Sequence, residues 1–486
     1  MTTQLTDPEI LAPFLVDEAG FRGHAEGLVR TGDLAEIAAV LQAASAAGTP
    51  VTFSARRTSL TGSAVPEGGL IVALPEDSSP DLVVIDRAAG RAVAPARVLI
   101  SDVELAAEAA GLFFPPDPTS RKTASIGGAV ACNASGARSF RYGPTGAWVE
   151  GLTVCLASGE VLTLQRGDHP PIDGFFHLGD RRIPCPPARR TDLKNSLGYQ
   201  VSPETPDLID LFIGSEGTLG YIHDVTLRLL PRQEIFAALV FWDALTPALD
   251  FVESLQHGST RPAGLDPMSV EWFDQASLAL AAARHPRLGV PATAVAALFV
   301  EQRHEKGEED AVAMAWYEAL LAAGAPDDEA ALRIARNRKD IETFRDFRHA
   351  VPEAINALAR SRGLRKLGTD LAYPAGWLHR MVAGYTEAVA ASGLEAAAFG
   401  HIGDNHLHLN LLPRDAAEAV AGKALYRALA LQCAAVGGAI SGEHGIGKSK
   451  RDLLAEVTPA AVLAGMHAIK AVLDPQGILG RGNLFP

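Results

Sequence analysis

Three segments in the first 220 residues carry almost no bulky side chains, and they limit what this chain can fold around more than any other feature. Residues 55–63 read ARRTSLTGS. Residues 116–136 open on PDPTS and pass through ASIGG to NASG, and residues 214–220 read GSEGTLG. Backbone bare of side chains can approach a ligand closely, and runs of N–H groups and hydroxyls suit phosphate. Arg56 and Arg57 add two guanidinium groups fitted to a pyrophosphate. Singly, each segment reads as a tight turn. Together they point to an extended dinucleotide. No GxGxxG follows the first predicted strand, which excludes a Rossmann site.

The elements around these loops are mixed rather than doubly wound. Helix periodicity over 34–47 ends at Gly48-Thr49-Pro50, a stop signal. Strands are predicted at 51–53, 69–74, 82–86 and 96–99, a helix at 103–110, a hairpin over 150–163 and a strand at 222–230 closed by Pro231. Beyond Pro231 the texture changes to long Ala-rich helices (277–283, 308–323, 329–359, 375–392, 416–435, 459–473) with strands at 236–242 and 294–301. At 486 residues the chain exceeds the ~250–300 that one core usually holds. The expected division is 1–231, 232–470 and a Gly-rich tail, 471–486, returning to the first domain.

Charge and cysteine usage remove several function classes. A formal net charge of −14 argues against nucleic acid, which demands clustered Lys and Arg. Cys132, Cys155, Cys185 and Cys433 share no C-x-x-C spacing, which argues against a chain-borne iron–sulfur cluster, a Cys-rich zinc site or a disulfide scaffold. With no signal-like start and no run of ~18 apolar residues, a cytoplasmic location is expected.

The richest local signal lies in the C-terminal half. In FGHIGDNHLHLN (399–410) a Gly-Asp-Asn turn separates His401 from an alternating strand, which sets His406, His408 and Asn410 on one face. SGEHGIGK (441–448) then places Glu443 beside His444 between glycines. Imidazoles with a carboxylate are favoured ligands of zinc and similar ions. An isolated histidine is usually a surface or satisfied core residue, but four within two short Gly-flanked segments are harder to explain so.

These motifs, in this order over 34–486, resemble the FAD-linked D-2-hydroxy-acid dehydrogenases, whose FAD domain is of the vanillyl-alcohol oxidase type. That family includes the glycolate oxidase flavin subunit, D-lactate dehydrogenases and D-2-hydroxyglutarate dehydrogenase. The resemblance implies an α+β fold: a two-part FAD-binding domain and an α+β C-terminal cap. It makes Arg56, Arg57, Thr58, Ser59, Gly62, Pro116, Ser120, Gly127, Gly128, Asn133, Ser135, Gly136, Gly143, Thr145, Glu216, Gly217 and Ile222 candidate FAD contacts. The family's first loop is usually Gly-rich where this chain has Ala55-Arg56-Arg57. No histidine stands there to tether the cofactor, which favours noncovalent FAD. His401, His408 and Glu443 become ligands of a divalent metal (zinc, with manganese or iron as alternatives). Asn410 becomes a substrate contact and His444 the base. His406 stands where the family more often has Asn, and whether it substitutes or adds is open.

Arg348 matches a family arginine that pairs with a substrate carboxylate. Pro352 replaces a hydroxyl residue of the hydroxyglutarate enzymes, and Lys366 aligns only loosely with their lysine. Lys194 belongs to a run that lines the family's active site. The expected activity is oxidation of a small D-2-hydroxy acid, of the D-lactate or glycolate class, to the 2-oxo acid. Electrons leave to an external quinone, electron-transfer flavoprotein or cytochrome. The alternatives are a D-2-hydroxyglutarate or D-malate dehydrogenase, an oxidase using oxygen, an alkyl-transferring flavoenzyme, and a non-catalytic flavin subunit. A homodimer, or association with the inner face of the membrane, is compatible with all of these.

Overall fold

The computed structural model describes residues 3–256 and 258–485. Its N-terminal part contains two larger sheets beside two two-stranded ones. The first is parallel, with β1 (Gly27–Arg30), β3 (Leu70–Ala73) and β2 (Val51–Ser54) in that spatial order. Helix α1 (Leu34–Ala47) covers it with Ile37, Leu41 and Ala44, one buried stripe at helical spacing. Asp33 caps its N-terminus by accepting from the Glu36 N–H, and Gly48 ends it in the left-handed conformation.

The second sheet is antiparallel, in the order β4 (Val84–Asp86), β5 (Arg91–Pro95), β8 (Tyr221–Arg228), β6 (Val149–Cys155) and β7 (Val161–Gln165). Residues 96–99, predicted as a strand, lie outside it. Their carbonyls at Ala96 and Val98 instead accept the first N–H groups of helix α2 (Ile126–Cys132), which anchors the second small-residue loop.

The C-terminal half is built on an eight-stranded sheet. Its order is β12 (Leu332–Ile334), β9 (Glu234–Trp242), β11 (Ala296–His304), β10 (Pro267–Asp274), β15 (Ala396–His401), β16 (His406–Leu411) and β13 (Leu367–Gly368), with β14 (Leu371–Ala372) also on β16. The long helix predicted over 329–359 is interrupted. Leu332–Ile334 pairs with β9, and helix α3 (Arg338–Ser361) starts only where Asn337 caps Asp340. Tertiary pairing here overrides the local helix preference of the Ala-rich sequence. α3 lays Phe344, Phe347, Val351 and Ile355 against Phe241, Phe273 and Phe299 of the sheet. That packing fixes the azimuth of Arg348, the next residue after Phe347.

The final residues run back to the first sheet. Val51 N–H donates to the Ile478 carbonyl, and Gly480 N–H to Val51. Among the described residues no helix is long and apolar enough to cross a membrane.

Candidate active site

Strands β15 and β16 bring the histidines together. They form an antiparallel hairpin in which His401 stands opposite His406 and Phe399 opposite His408. The turn between them is tied from a distance. The Gln256 amide donates to the Ile402 and Gly403 carbonyls and to Asn405 Oδ1.

Glu443 is the hub of the cluster. His408 Nε2 stands 3.0 Å from its Oε1, His401 Nε2 is 3.1 Å from its Oε2, and the Lys194 ammonium is 2.8 Å from that same oxygen. Burial would raise the Glu443 carboxyl, but Lys194 and His401 outweigh it and hold it well below its usual range. His444 stacks on His408 with ring centroids 5.0 Å apart. Its Nδ1 and Nε2 are each 3.6 Å from a carboxylate, Asp370 and Glu443 respectively. Burial pushes its pKa down to about 4, so the ring is neutral at physiological pH.

Two buried carboxylates beneath this cluster carry no motif and escape sequence reasoning. Glu271, on β10, accepts from His401 Nδ1 at 2.5 Å with one oxygen and from Arg348 Nε at 2.8 Å with the other. Burial opposes its ionisation, yet His401 and Arg348 draw its pKa to about 2. Asp370 accepts from His406 Nε2 (2.9 Å), Ser441 Oγ (2.8 Å), Lys450 Nζ (2.6 Å) and the His444 N–H (3.0 Å). For Glu271 the available signal was an acid between two bulky apolar neighbours, Val270 and Trp272.

Arg348 lines a small cleft with Thr119, His349, Pro352, His401 and His408. Glu271 occupies its Nε, and Nη2 lies 3.4 Å from Thr119 Oγ1. Replacing Arg348 by Met leaves Glu271 as a buried charge with one partner fewer. We expect this to cost about 3–5 kcal/mol of stability, read as a fall in the denaturant midpoint of the holoenzyme at pH 7. An unchanged midpoint would show the pair to be dispensable. The Asn410 amide is buried and donates to the Ala397 and His408 carbonyls.

The three small-residue loops meet the same segment. The Thr61 carbonyl accepts the Lys448 and Ser449 N–H groups. The Glu216 carboxylate accepts those of Ile446 and Gly447, both at 2.7 Å. Cys132 Sγ lies 3.5 Å from the Glu443 carbonyl. Residues 441–448 are thus clasped from three sides.

Several predicted cofactor contacts already have protein partners. Arg56 donates to the Glu76 carbonyl and Arg57 to the Glu76 carboxylate. Ser59 bonds Ser63, Thr145 Oγ1 donates to the Ala134 carbonyl, and the Ile222 side chain is buried. Asn133 Nδ2 and Ser135 Oγ, by contrast, are buried without a protein partner. Such atoms suit a bound polar cofactor, because an unmade buried hydrogen bond is costly. At Gly136 any Cβ would collide with the Asp117 carbonyl. Gly136→Ala therefore has to displace this loop, and we expect a severalfold lower flavin content in the purified protein. The ratio of flavin to protein absorbance reads it; full occupancy would contradict the loop's assignment.

The small-residue loops thus join the N-terminal domain to the segment bearing Glu443 and His444, and the class this defines is an FAD-linked oxidoreductase. Residues 25–165 match the model of an FAD binding domain, and residues 233–484 that of the C-terminal domain of FAD linked oxidases. The chain belongs to this family. It is 30% identical to a D-lactate dehydrogenase of Anaerostipes hadrus, over 99% of this chain and 94% of that one. It is 29% identical to the glycolate oxidase subunit GlcD of Bacillus subtilis, over 93% and 87% of the two chains. A D-2-hydroxyglutarate dehydrogenase of Xanthomonas citri pv. viticola is 30% identical, over 93% and 88%. Among solved structures, the 4-ethylphenol oxidase of Gulosibacter chungangensis shares the fold with a TM-score of 0.69 at 16% identity, covering 99% of this chain and 94% of that one.

Proposed function

We propose that the protein oxidises a small D-2-hydroxy acid, of the D-lactate or glycolate class, to the 2-oxo acid. The observation that carries this reading is the convergence of three small-residue loops on residues 441–448, the segment bearing Glu443 and His444. Relatives named for D-lactate, glycolate and D-2-hydroxyglutarate support the substrate class.

FAD would be held noncovalently by the loops around Ser59–Gly62, Asn133–Gly136 and Glu216–Gly217. A divalent ion would be held by His401, His408 and Glu443, whose donor set of nitrogens and a carboxylate oxygen fits zinc, manganese or iron. When bound, FAD accepts the two electrons and the Cα hydrogen of the acid, and the ion polarises the oxygen it holds. The chain's own groups do the rest. Arg348 and Thr119 at the cleft face the carboxylate, and neutral His444 takes the hydroxyl proton. Lys194 and Glu271 hold Glu443 and His401 in position.

A single permanent cation, Arg348, lines the cleft among the described residues, and Pro352 adds no hydrogen-bond donor. That favours an acid with one carboxylate. Electrons passed to FAD would leave to an external carrier, a quinone, an electron-transfer flavoprotein or a cytochrome.

Metal removal tests the reading. Dialysis against a strong chelator should leave the flavin spectrum intact and abolish its bleaching by the acid, and added zinc or manganese should restore it. Undiminished bleaching in a fully demetallated protein would refute the metal's part.

A further inference from the structure

We infer that His406 is a fourth protein ligand of this ion, binding through Nδ1. The inference rests on the metal reading above and extends it. Of the three buried imidazoles, His401 and His408 are bonded at both nitrogens and His406 at one only. His401 is held at Nδ1 by Glu271, and His408 at Nδ1 by the Thr369 carbonyl, 3.0 Å away. Their Nε2 atoms both point to Glu443. His406 is held the other way round, at Nε2, by Asp370 Oδ1.

Asp370 fixes the tautomer. It is fully buried and also accepts from Lys450, Ser441 and the Glu443 and His444 N–H groups, so it is an ionised carboxylate that only accepts. The His406 Nε2 must carry the proton of their shared bond, which leaves the lone pair on Nδ1. That atom is buried in a ring with 0% exposure and has no partner. A lone pair in that state costs free energy that a cation beside it would recover. A carboxylate holding the far nitrogen of an imidazole is also how proteins orient metal-binding histidines.

The spacing agrees. One ligand atom from each of His401, His406, His408 and Glu443 lies within 4.8 Å of the others. Around a tetrahedral ion, donors at about 2.1 Å would stand about 3.4 Å apart. The four donors would draw in by at most about 1.4 Å to share one ion. Gly442 supports the arrangement, because a Cβ there would sit 2.7 Å from His406 Nε2 and dislodge the ring. The strand does the rest, since its alternation puts His406 and His408 on the same face. Asn410, third on that face, is turned onto backbone carbonyls and leaves the ion to the two imidazoles.

X-ray absorption on the zinc-loaded native holoenzyme counts the imidazoles directly. Three per ion are expected, and two would overturn the inference. In parallel, zinc affinity is measured against a chromophoric chelator for the native protein, His406→Asn and Glu443→Gln. Both variants should bind zinc about 100-fold more weakly. Native affinity in His406→Asn, with weakened binding in Glu443→Gln, would overturn the role of His406 and leave the three-ligand site standing. A native protein that takes up no stoichiometric zinc would overturn both readings together.

Discussion

Glu443→Gln is expected to slow hydroxy-acid-dependent flavin reduction by at least about 10³-fold, roughly 4 kcal/mol of barrier, while FAD stays bound. The carboxylate is where the cluster closes: His401, His408 and Lys194 all stand within 3.1 Å of one of its oxygens. An amide at this position is nearly isosteric but neutral. It would offer an ion a weaker oxygen and leave the Lys194 ammonium, 5% exposed, without its closest counter-charge. The loss should therefore fall on metal content and on the rate of reduction together. FAD should remain, because the loops that would hold it touch residues 441–448 through backbone groups and the Glu216 carboxylate, not through the Glu443 side chain. Stopped-flow absorbance of the flavin, with metal analysis of the same sample, reads both. A variant that keeps its metal and reduces at the native rate would remove Glu443 from the site.

His444→Asn is the second large effect, about 10²–10⁴-fold in the rate of reduction. Unlike His401, His406 and His408, His444 has no side-chain nitrogen hydrogen-bonded to a protein group among the described residues, its nearest carboxylates being 3.6 Å away. With 26% of its side chain exposed, it is the accessible imidazole of the set. A neutral ring in that position is free to accept a proton. Metal affinity and flavin content should be unchanged, which separates this variant from Glu443→Gln. The loss should lie in kcat rather than KM, since the removed group acts on the transferring proton and not on the bound acid. Loss of flavin or metal instead would mark His444 as structural.

How much of this was legible in the sequence depended on whether the chemistry was local. His401, His408 and Glu443 stood out because a six-residue alternating strand and a Gly-flanked pair concentrate ligands in short spans. The helix periodicity over 34–47 and the Gly48-Thr49-Pro50 stop likewise announced α1. Glu271 and Asp370 did not, because their partners lie far away in the chain: Glu271 is 130 residues from His401 and Asp370 is 80 from Lys450. An acid between apolar neighbours, as at Glu271, is a visible signal, but only the fold says what it faces. The same limit explains Arg56 and Arg57. Their chemistry suited a pyrophosphate, but Glu76, nineteen residues beyond Arg57, claims it. Asn410 kept the face its alternation predicted, and its amide was taken by backbone carbonyls that no spacing could foretell.

The central claim, that this chain uses FAD to oxidise a D-2-hydroxy acid at the His–Glu cluster, is tested most directly by anaerobic titration of the purified, metal-replete protein. D-lactate, glycolate, D-malate and D-2-hydroxyglutarate are added in turn while the flavin absorbance is followed. We predict that D-lactate or glycolate bleaches the flavin at the lowest concentration, with one 2-oxo acid formed per flavin reduced. Preferential bleaching by D-malate or D-2-hydroxyglutarate would contradict the one-carboxylate assignment. A flavin that none of the four acids reduces would contradict the claim itself.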